Sequence, residues 1–263
     1  MSDQAHLFMM ASGKLQALCY KYEIEKTLRT PDYAGFQLLA LNDYSGQGTA
    51  LVGVLDVFFE EKGYINSAEW RRFCSPTVPL MRTDKFVYAN NEMLKADIEV
   101  SHFGRETLKG AKVMYTLKDE FGKTYSQGVL AKQDIPVGNL NRTGSIEFPL
   151  EAIGEARKLN LEVRIEGTDA VNDWDFWVYP ATTEIAEGNV YTTDTLDAKA
   201  LEILQNGGNV LIAAAGKISY GKEVVQQFTP VFWNTSWFKM RPPHTTGIFL
   251  NEYHPLFREF PTE

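Results

Sequence analysis

The chain has 263 residues, of which 44% are hydrophobic and 23% charged, and its formal net charge is −8. That length holds two or three ordinary domains, and the composition is that of a folded globular chain. The acidic balance and the lack of any basic run argue against nucleic acid or anionic membranes as partners, since both are bound through clustered Lys and Arg.

No stretch reaches the ~20 apolar residues of a membrane span. The first residues show neither the basic nor the apolar region of a signal peptide. Two cysteines, Cys19 and Cys74, have no metal-ligand spacing and read as two buried thiols. His6, His102, His244 and His254 are scattered and form no ligand cluster, so neither a metal nor another cofactor is expected.

In chain order, Leu15, Leu18, Tyr22 and residues 24–28 suggest a helix that stops near Thr30-Pro31. The run Gly35-Phe36-Gln37-Leu38-Leu39-Ala40-Leu41 reads as a short strand buried on both faces. A polar, glycine-bearing loop follows, from Asn42 through Asp43, Tyr44 and Gln47 to Thr49. Leu51, Leu55, Phe58 and Phe59 then give one face of a helix over residues 51–61, and Ser67 is a candidate N-cap for another. Helix, buried strand, loop and helix is the βα rhythm of a parallel architecture. One such unit cannot close a sheet, so this part reads as a piece of a larger domain.

From about residue 82 the period changes to two. Ala96, Ile98 and Val100 alternate with polar residues, as do Val113, Tyr115 and Leu117, then Ile146, Phe148 and Leu150. Leu161, Val163 and Ile165 repeat the pattern, followed by Trp174, Phe176 and Val178. About seven short alternating strands in ~100 residues predict an Ig-like β-sandwich. Its outer face carries Asp173, Asp175 and Trp177, the carboxylates expected to be exposed and Trp177 to pack on a neighbouring domain or to stack on a sugar. After residue 181 the pattern returns to α/β, with a helix over 195–205, a stop at Gly207-Gly208 and a buried parallel-type strand over 209–216. A dense aromatic group, Phe232, Trp233, Trp237 and Phe238, lies beyond it.

The run from Gly35 through Asn42-Asp43-Tyr44-Ser45-Gly46-Gln47-Gly48 to Leu55, with Lys62-Gly63-Tyr64 and Phe73-Cys74-Ser75-Pro76-Thr77-Val78-Pro79, resembles the end of the catalytic (β/α)₈ barrel in glycoside hydrolase family 2-like enzymes of the β-galactosidase type. The sandwich ending Trp174-Asp175-Phe176-Trp177 resembles the Ig-like domain after that barrel. Gly207-Gly208-Asn209-Val210-Leu211-Ile212, Pro230-Val231-Phe232-Trp233-Asn234 and His254-Pro255 resemble the start of a glutamine-amidotransferase-like, flavodoxin-like α/β domain.

The resemblance implies a multidomain chain, α/β plus all-β. Residues 1–81 are its barrel end, 82–180 its sandwich and 181–263 a partial α/β domain. It implies a glycosidase acting on β-linked sugars with two carboxylates, both carried on barrel strands before the last one and so outside this chain. No catalytic residue is therefore carried over. The parent enzyme, exported or periplasmic, would take a carbohydrate substrate. Asn42, Asp43, Tyr44 and Gln47 are the substrate-binding candidates, because they follow the C-terminal end of a barrel strand, where active-site loops are built. Asp43 could accept from sugar hydroxyls, and Gln47 could donate and accept. The competing reading of the loop is a plain turn that Asp43 caps. No cysteine follows Pro180, so glutamine hydrolysis by the last segment is not supported. The alternative for the whole chain is a non-catalytic carbohydrate-binding or scaffolding protein.

Overall fold

The structure is a computed structural model that describes residues 2–46, 51–182, 188–220, 250–251, 253–257 and 259–261. The chain forms two compact units, Met1–Ala181 with Phe249–Glu263, and Thr182–Ile248. Strands in sheets dominate, with few helices. No helix among the described residues is long and apolar enough to cross a membrane.

The first unit opens with helix α1 (Ala5–Leu28) and the short α2 (Ser67–Phe73). The N-cap of α2 is Asn66 rather than Ser67. Its side chain accepts from the Glu69 N–H, and the Glu69 carboxylate returns a bond to the Asn66 N–H, a closed capping box.

Eight strands follow: β1 (Thr77–Arg82), β2 (Val87–Ala89), β3 (Met93–His102), β4 (Leu108–Asp119), β5 (Thr124–Ile135), β6 (Gly138–Pro149), β7 (Arg157–Ile165) and β8 (Val171–Tyr179). They make a three-stranded sheet, β1-β3-β6, and a five-stranded sheet, β2-β8-β7-β4-β5. The inward residues of both sheets form one core, with Leu94, Ile98 and Val100 from one side and Val113, Leu117, Leu161, Val163 and Phe176 from the other. Each such side chain contributes about 1.5–3 kcal/mol by leaving water. Apart from Leu94, which it does not name, the period-two reading places these residues inward, and they are inward. The boundary drawn between residues 81 and 82 cuts through β1, whose six residues pair with β3. The sandwich therefore starts by Thr77.

Three other expectations fail. Residues 36–41 form no strand, and Leu39 is 98% exposed. Residues 51–61 form no helix. Leu55 makes bridges to Asn42 and Glu61, and Phe59 sits at φ 67, which a helix does not allow. The cysteines are not two buried thiols: Cys19 is exposed and Cys74 half-buried. Partial burial pushes both thiol pKa values up, and the Glu23 carboxylate adds to the effect at Cys19.

In the second unit, β9 (Val190–Thr193) and β10 (Asn209–Ile212) pair in parallel, joined through α3 (Ala198–Gln205). The Asp197 carboxylate caps α3 by accepting from the Ala200 N–H at 2.7 Å. Gly207, at φ +75, ends it. The helix thus starts later than residue 195, and the strand stops at Ile212 rather than 216. Leu211 and Ile212 are exposed, not buried as expected, since β9 is the one described strand beside β10. The aromatic group at residues 232–238 lies outside the described residues.

Candidate functional site

The described sequence candidates, Asn42, Asp43 and Tyr44, do not converge on an open pocket. Asp43 is buried, and its Oδ1 accepts from Lys62 Nζ at 2.8 Å and from the Gly53 N–H at 2.9 Å. Lys62 Nζ also donates to the Gly53 carbonyl at 2.7 Å. Gly53 is required here, because a Cβ would stand 2.3 Å from the Asn42 carbonyl carbon. Asp43 therefore ties the loop to itself, which is the turn reading. Asn42 donates to the Asp43 carbonyl at 3.0 Å, and Tyr44 is exposed. Gln47 lies outside the described residues. His102, at the end of β3, is satisfied by Thr77 Oγ1 at 2.7 Å and the Glu106 carbonyl at 2.8 Å.

The same loop clasps the middle of α1. Gly13 lies flat against the Tyr64 ring, which a Cβ would overlap. Tyr64 Oη donates to Gln16 Oε1 at 2.8 Å, and Gln16 Nε2 donates to the Val52 carbonyl. One turn further on, Tyr20 meets Trp70 of α2 edge to face.

The densest polar site in the first unit is where the last two turns of α1 meet the sandwich. Lys21, Glu25 and Arg29 recur every fourth residue, so they share one helix face. On β8 the inward register brings Asn172 and Trp174 to the same place. Glu25 is 1% exposed. Its carboxylate accepts from Lys21 Nζ at 2.9 Å, Asn172 Nδ2 at 2.8 Å, Trp174 Nε1 at 3.0 Å and Arg29 Nη1 at 3.2 Å. Asn172 also donates to the Pro79 carbonyl and accepts from Lys21, while Arg29 donates to the Met81 carbonyl. A buried carboxylate this fully bonded is held in place. It has no free lone pair for proton transfer, so the cluster anchors the helix rather than performing general acid–base chemistry.

Beside this anchor a cleft of about 300 Å³ opens, walled by Tyr22, Phe86 and Trp174 and bordered by Glu25, Arg29 and Arg82. Arg82 forks onto the buried Glu99 carboxylate at 3.0 and 3.3 Å and donates to the Arg29 carbonyl at 2.9 Å. Sequence reasoning missed this site. Two signals point to it: the Lys21–Glu25–Arg29 ladder at four-residue spacing along α1 and its C-cap, and an Asn at an inward position of a strand.

On the outer face of β8 the carboxylates are not simply exposed. Asp173 accepts from Arg72 Nη1 at 2.7 Å and from Asn160 Nδ2 at 2.9 Å, and Asn160 also bridges to Asp175. Burial pushes the Asp173 carboxyl up, but the bonds from Asn160 and Arg72 and the charges of Arg72 and Lys21 outweigh it and hold it below the usual carboxylate range. A depressed folded pKa gives stability that is present above the unfolded value and is lost as pH falls through the folded one. Asp173→Asn should therefore cost about 1–2 kcal/mol at neutral pH, with the gap closing as the pH drops below ~4. Urea titrations of both proteins across that range check this; a gap that does not change with pH would count against it.

Trp177, on the same face, is half-buried, with Lys158 Nζ 5.9 Å from its ring centre. Next to it, Tyr179 stacks on Phe260. This outer face thus receives a returning segment of the chain. Among the described residues no group of three His, Cys, Asp or Glu side chains could hold a metal ion.

By sequence, residues 92–180 match the Domain of unknown function DUF8488, and residues 191–263 match the Domain of unknown function DUF8487. No curated protein matches the chain. Among solved structures, the chain is similar to the alkylpurine DNA glycosylase AlkC of Pseudomonas fluorescens, with 11% identity and a TM-score of 0.33 over 40% of this chain and 31% of that one. It is also similar to the CARDB domain of PF1109 from Pyrococcus furiosus, with 13% identity and a TM-score of 0.31 over 40% of this chain and 94% of the domain. A third is the β-glucuronidase of Parabacteroides merdae, with 11% identity and a TM-score of 0.29 over 44% of this chain and 17% of the enzyme. The chain thus spans about a third of the first of these proteins and about a sixth of the third.

Proposed function

We propose that this chain is the barrel-end, Ig-like sandwich and following flavodoxin-like portion of a glycoside hydrolase of the β-galactosidase type, acting on β-linked sugars. In this reading the segment before β1 completes a catalytic barrel, and the sandwich holds that barrel in place. The observation that carries the reading is the apolar surface left bare in the segment before α2. Leu39 and Leu51 are exposed, with Phe58 77% and Phe59 65% exposed, in a stretch whose composition suits a strand and helix packed between neighbours. Further barrel strands and helices are the cover such a stretch needs.

The buried carboxylates of the first unit fit a supporting role. Glu25, Asp43 and Glu99 are each engaged by Lys or Arg, and Asp119 accepts from the Phe121 and Lys123 N–H groups. The chain by itself should therefore show no turnover of aryl β-glycosides. A polypeptide that joins it in frame to the coding sequence upstream should hydrolyse them through two carboxylates on earlier strands. Turnover by the purified chain that disappears in Asp43→Asn would place the chemistry here instead and overturn the reading.

A further inference from the structure

The cleft between α1 and the sandwich has unengaged hydrogen-bond donors and an apolar wall, and neither is explained by the anchoring of the helix. Arg29 uses only Nη1, for Glu25 and the Met81 carbonyl. Its Nε–H and Nη2 groups have no partner among the described residues, although the side chain is only 19% exposed. Arg82 uses Nε and Nη2, and its Nη1 has no partner among the described residues. Lys21, Arg29 and Arg82 stand against the carboxylates of Glu25 and Glu99, so the network carries one more cation than anions. Both guanidinium groups border a cleft whose volume is at the small end of the range for ligand sites. Tyr22 and Phe86, in edge contact at 5.8 Å, form its apolar wall.

We propose that this cleft binds a ring-bearing monocarboxylate, either an acidic sugar or an aromatic acid. The carboxylate would accept from the free Arg29 and Arg82 donors, and the ring would lie against Tyr22 and Phe86. A guanidinium fork matches the two oxygens of a carboxylate in plane, and such charge-assisted bonds are about twice as strong as neutral ones. The aromatic wall selects against a bare inorganic anion, because only a ligand with an apolar flank gains by covering it. Glu25 and Glu99 keep both guanidinium groups fixed before the ligand arrives, which lowers the ordering cost of binding. The inference does not depend on the glycoside hydrolase reading, since the aromatic-acid form needs no sugar chemistry.

Isothermal titration of the full chain with D-glucuronate, benzoate, D-glucose and inorganic phosphate tests it. Saturable binding of glucuronate or benzoate, with glucose and phosphate at least about tenfold weaker, is expected, and the tighter of the two carboxylates identifies the source of the ring. Arg29→Lys keeps a cation beside Glu25 but loses the fork and should weaken binding about tenfold. Tyr22→Ala, which removes a half-exposed ring and leaves every ion pair intact, should do the same if Arg29→Lys fails to fold. No saturable binding of either carboxylate up to ~10 mM overturns the proposal. So does phosphate binding as tightly as the carboxylates, with Tyr22→Ala without effect, since the cleft would then be only an anion trap.

Discussion

Glu25→Ala should cost the first unit about 3–5 kcal/mol, the largest loss expected from a single polar substitution in it. The carboxylate is buried and accepts from Lys21, Arg29, Asn172 and Trp174. Removing it leaves two cations facing each other in a poorly hydrated site and leaves the Trp174 indole N–H without an acceptor. Each unsatisfied buried donor adds about 1–3 kcal/mol. Glu25→Gln should be milder, since an amide oxygen can still accept, but it cannot neutralise two cations and its NH₂ would face Asn172 Nδ2. Urea unfolding of the full chain, followed by tryptophan fluorescence because Trp174 sits in the network, gives the comparison. An Ala variant within about 0.5 kcal/mol of the parent would mean that the helix is held by apolar packing alone. The Lys21→Met, Glu25→Leu, Arg29→Met triple variant is the sharper control. Buried ion networks are often replaceable by apolar groups of similar size, so it should recover much of what Glu25→Ala loses.

How much of this was legible in the sequence depends on what each residue's neighbours are. The sandwich was legible because an antiparallel sheet with one face in a core writes its burial into every second residue. Ala96, Ile98 and Val100, or Leu161, Val163 and Ile165, need no knowledge of the rest of the chain. The pattern breaks in β3 at Glu99, where a register shift and the cover given by Arg82 bury a residue that alternation assigns to solvent. Strand β5 does not show in the pattern, because it is the edge of its sheet and its apolar residues other than Ile135, Val129 among them, are partly exposed.

The helix expected over residues 51–61 rests on spacing alone. The structure shows what spacing cannot register: the Asp56 carboxylate accepts from the N–H groups of Phe58 and Glu60, a local turn that competes with helical bonding. The Asn42 to Gln47 candidates rest on the resemblance. The geometry of Asp43 supports the competing turn, with Lys62, nineteen residues on, supplying the cation. The Glu25 site joins residues about 150 positions apart in the chain, and only the packing of α1 on β8 brings them together.

Residues 36–41 should exchange their amide hydrogens far faster than residues 161–165. The N–H groups of Phe36 to Ala40 make no backbone bond among the described residues, and Leu39 stands in solvent. By contrast, Leu161, Val163 and Ile165 lie in β7, between β8 and β4, with hydrogen-bonded partners on both sides and fully buried side chains. Exchange in β7 requires opening of the sheet, which costs a large part of the unit's stability. For a domain of ordinary stability that slows exchange ~10⁴-fold or more relative to an open segment. Asp43 and Leu55 should fall between the two, since their N–H groups are bonded to the carbonyls of Leu55 and Leu41. Hydrogen exchange read by mass spectrometry on the full chain, run at a concentration where light scattering gives a monomer, makes the comparison. Protection of residues 36–41 equal to that of β7 in a monomer would mean that the segment covers its own apolar surface. The proposal that this stretch belongs inside a larger barrel would then lose the observation it rests on. If fast exchange in the monomer gives way to protection when the upstream polypeptide is joined, the bare segment has found the neighbours its composition calls for.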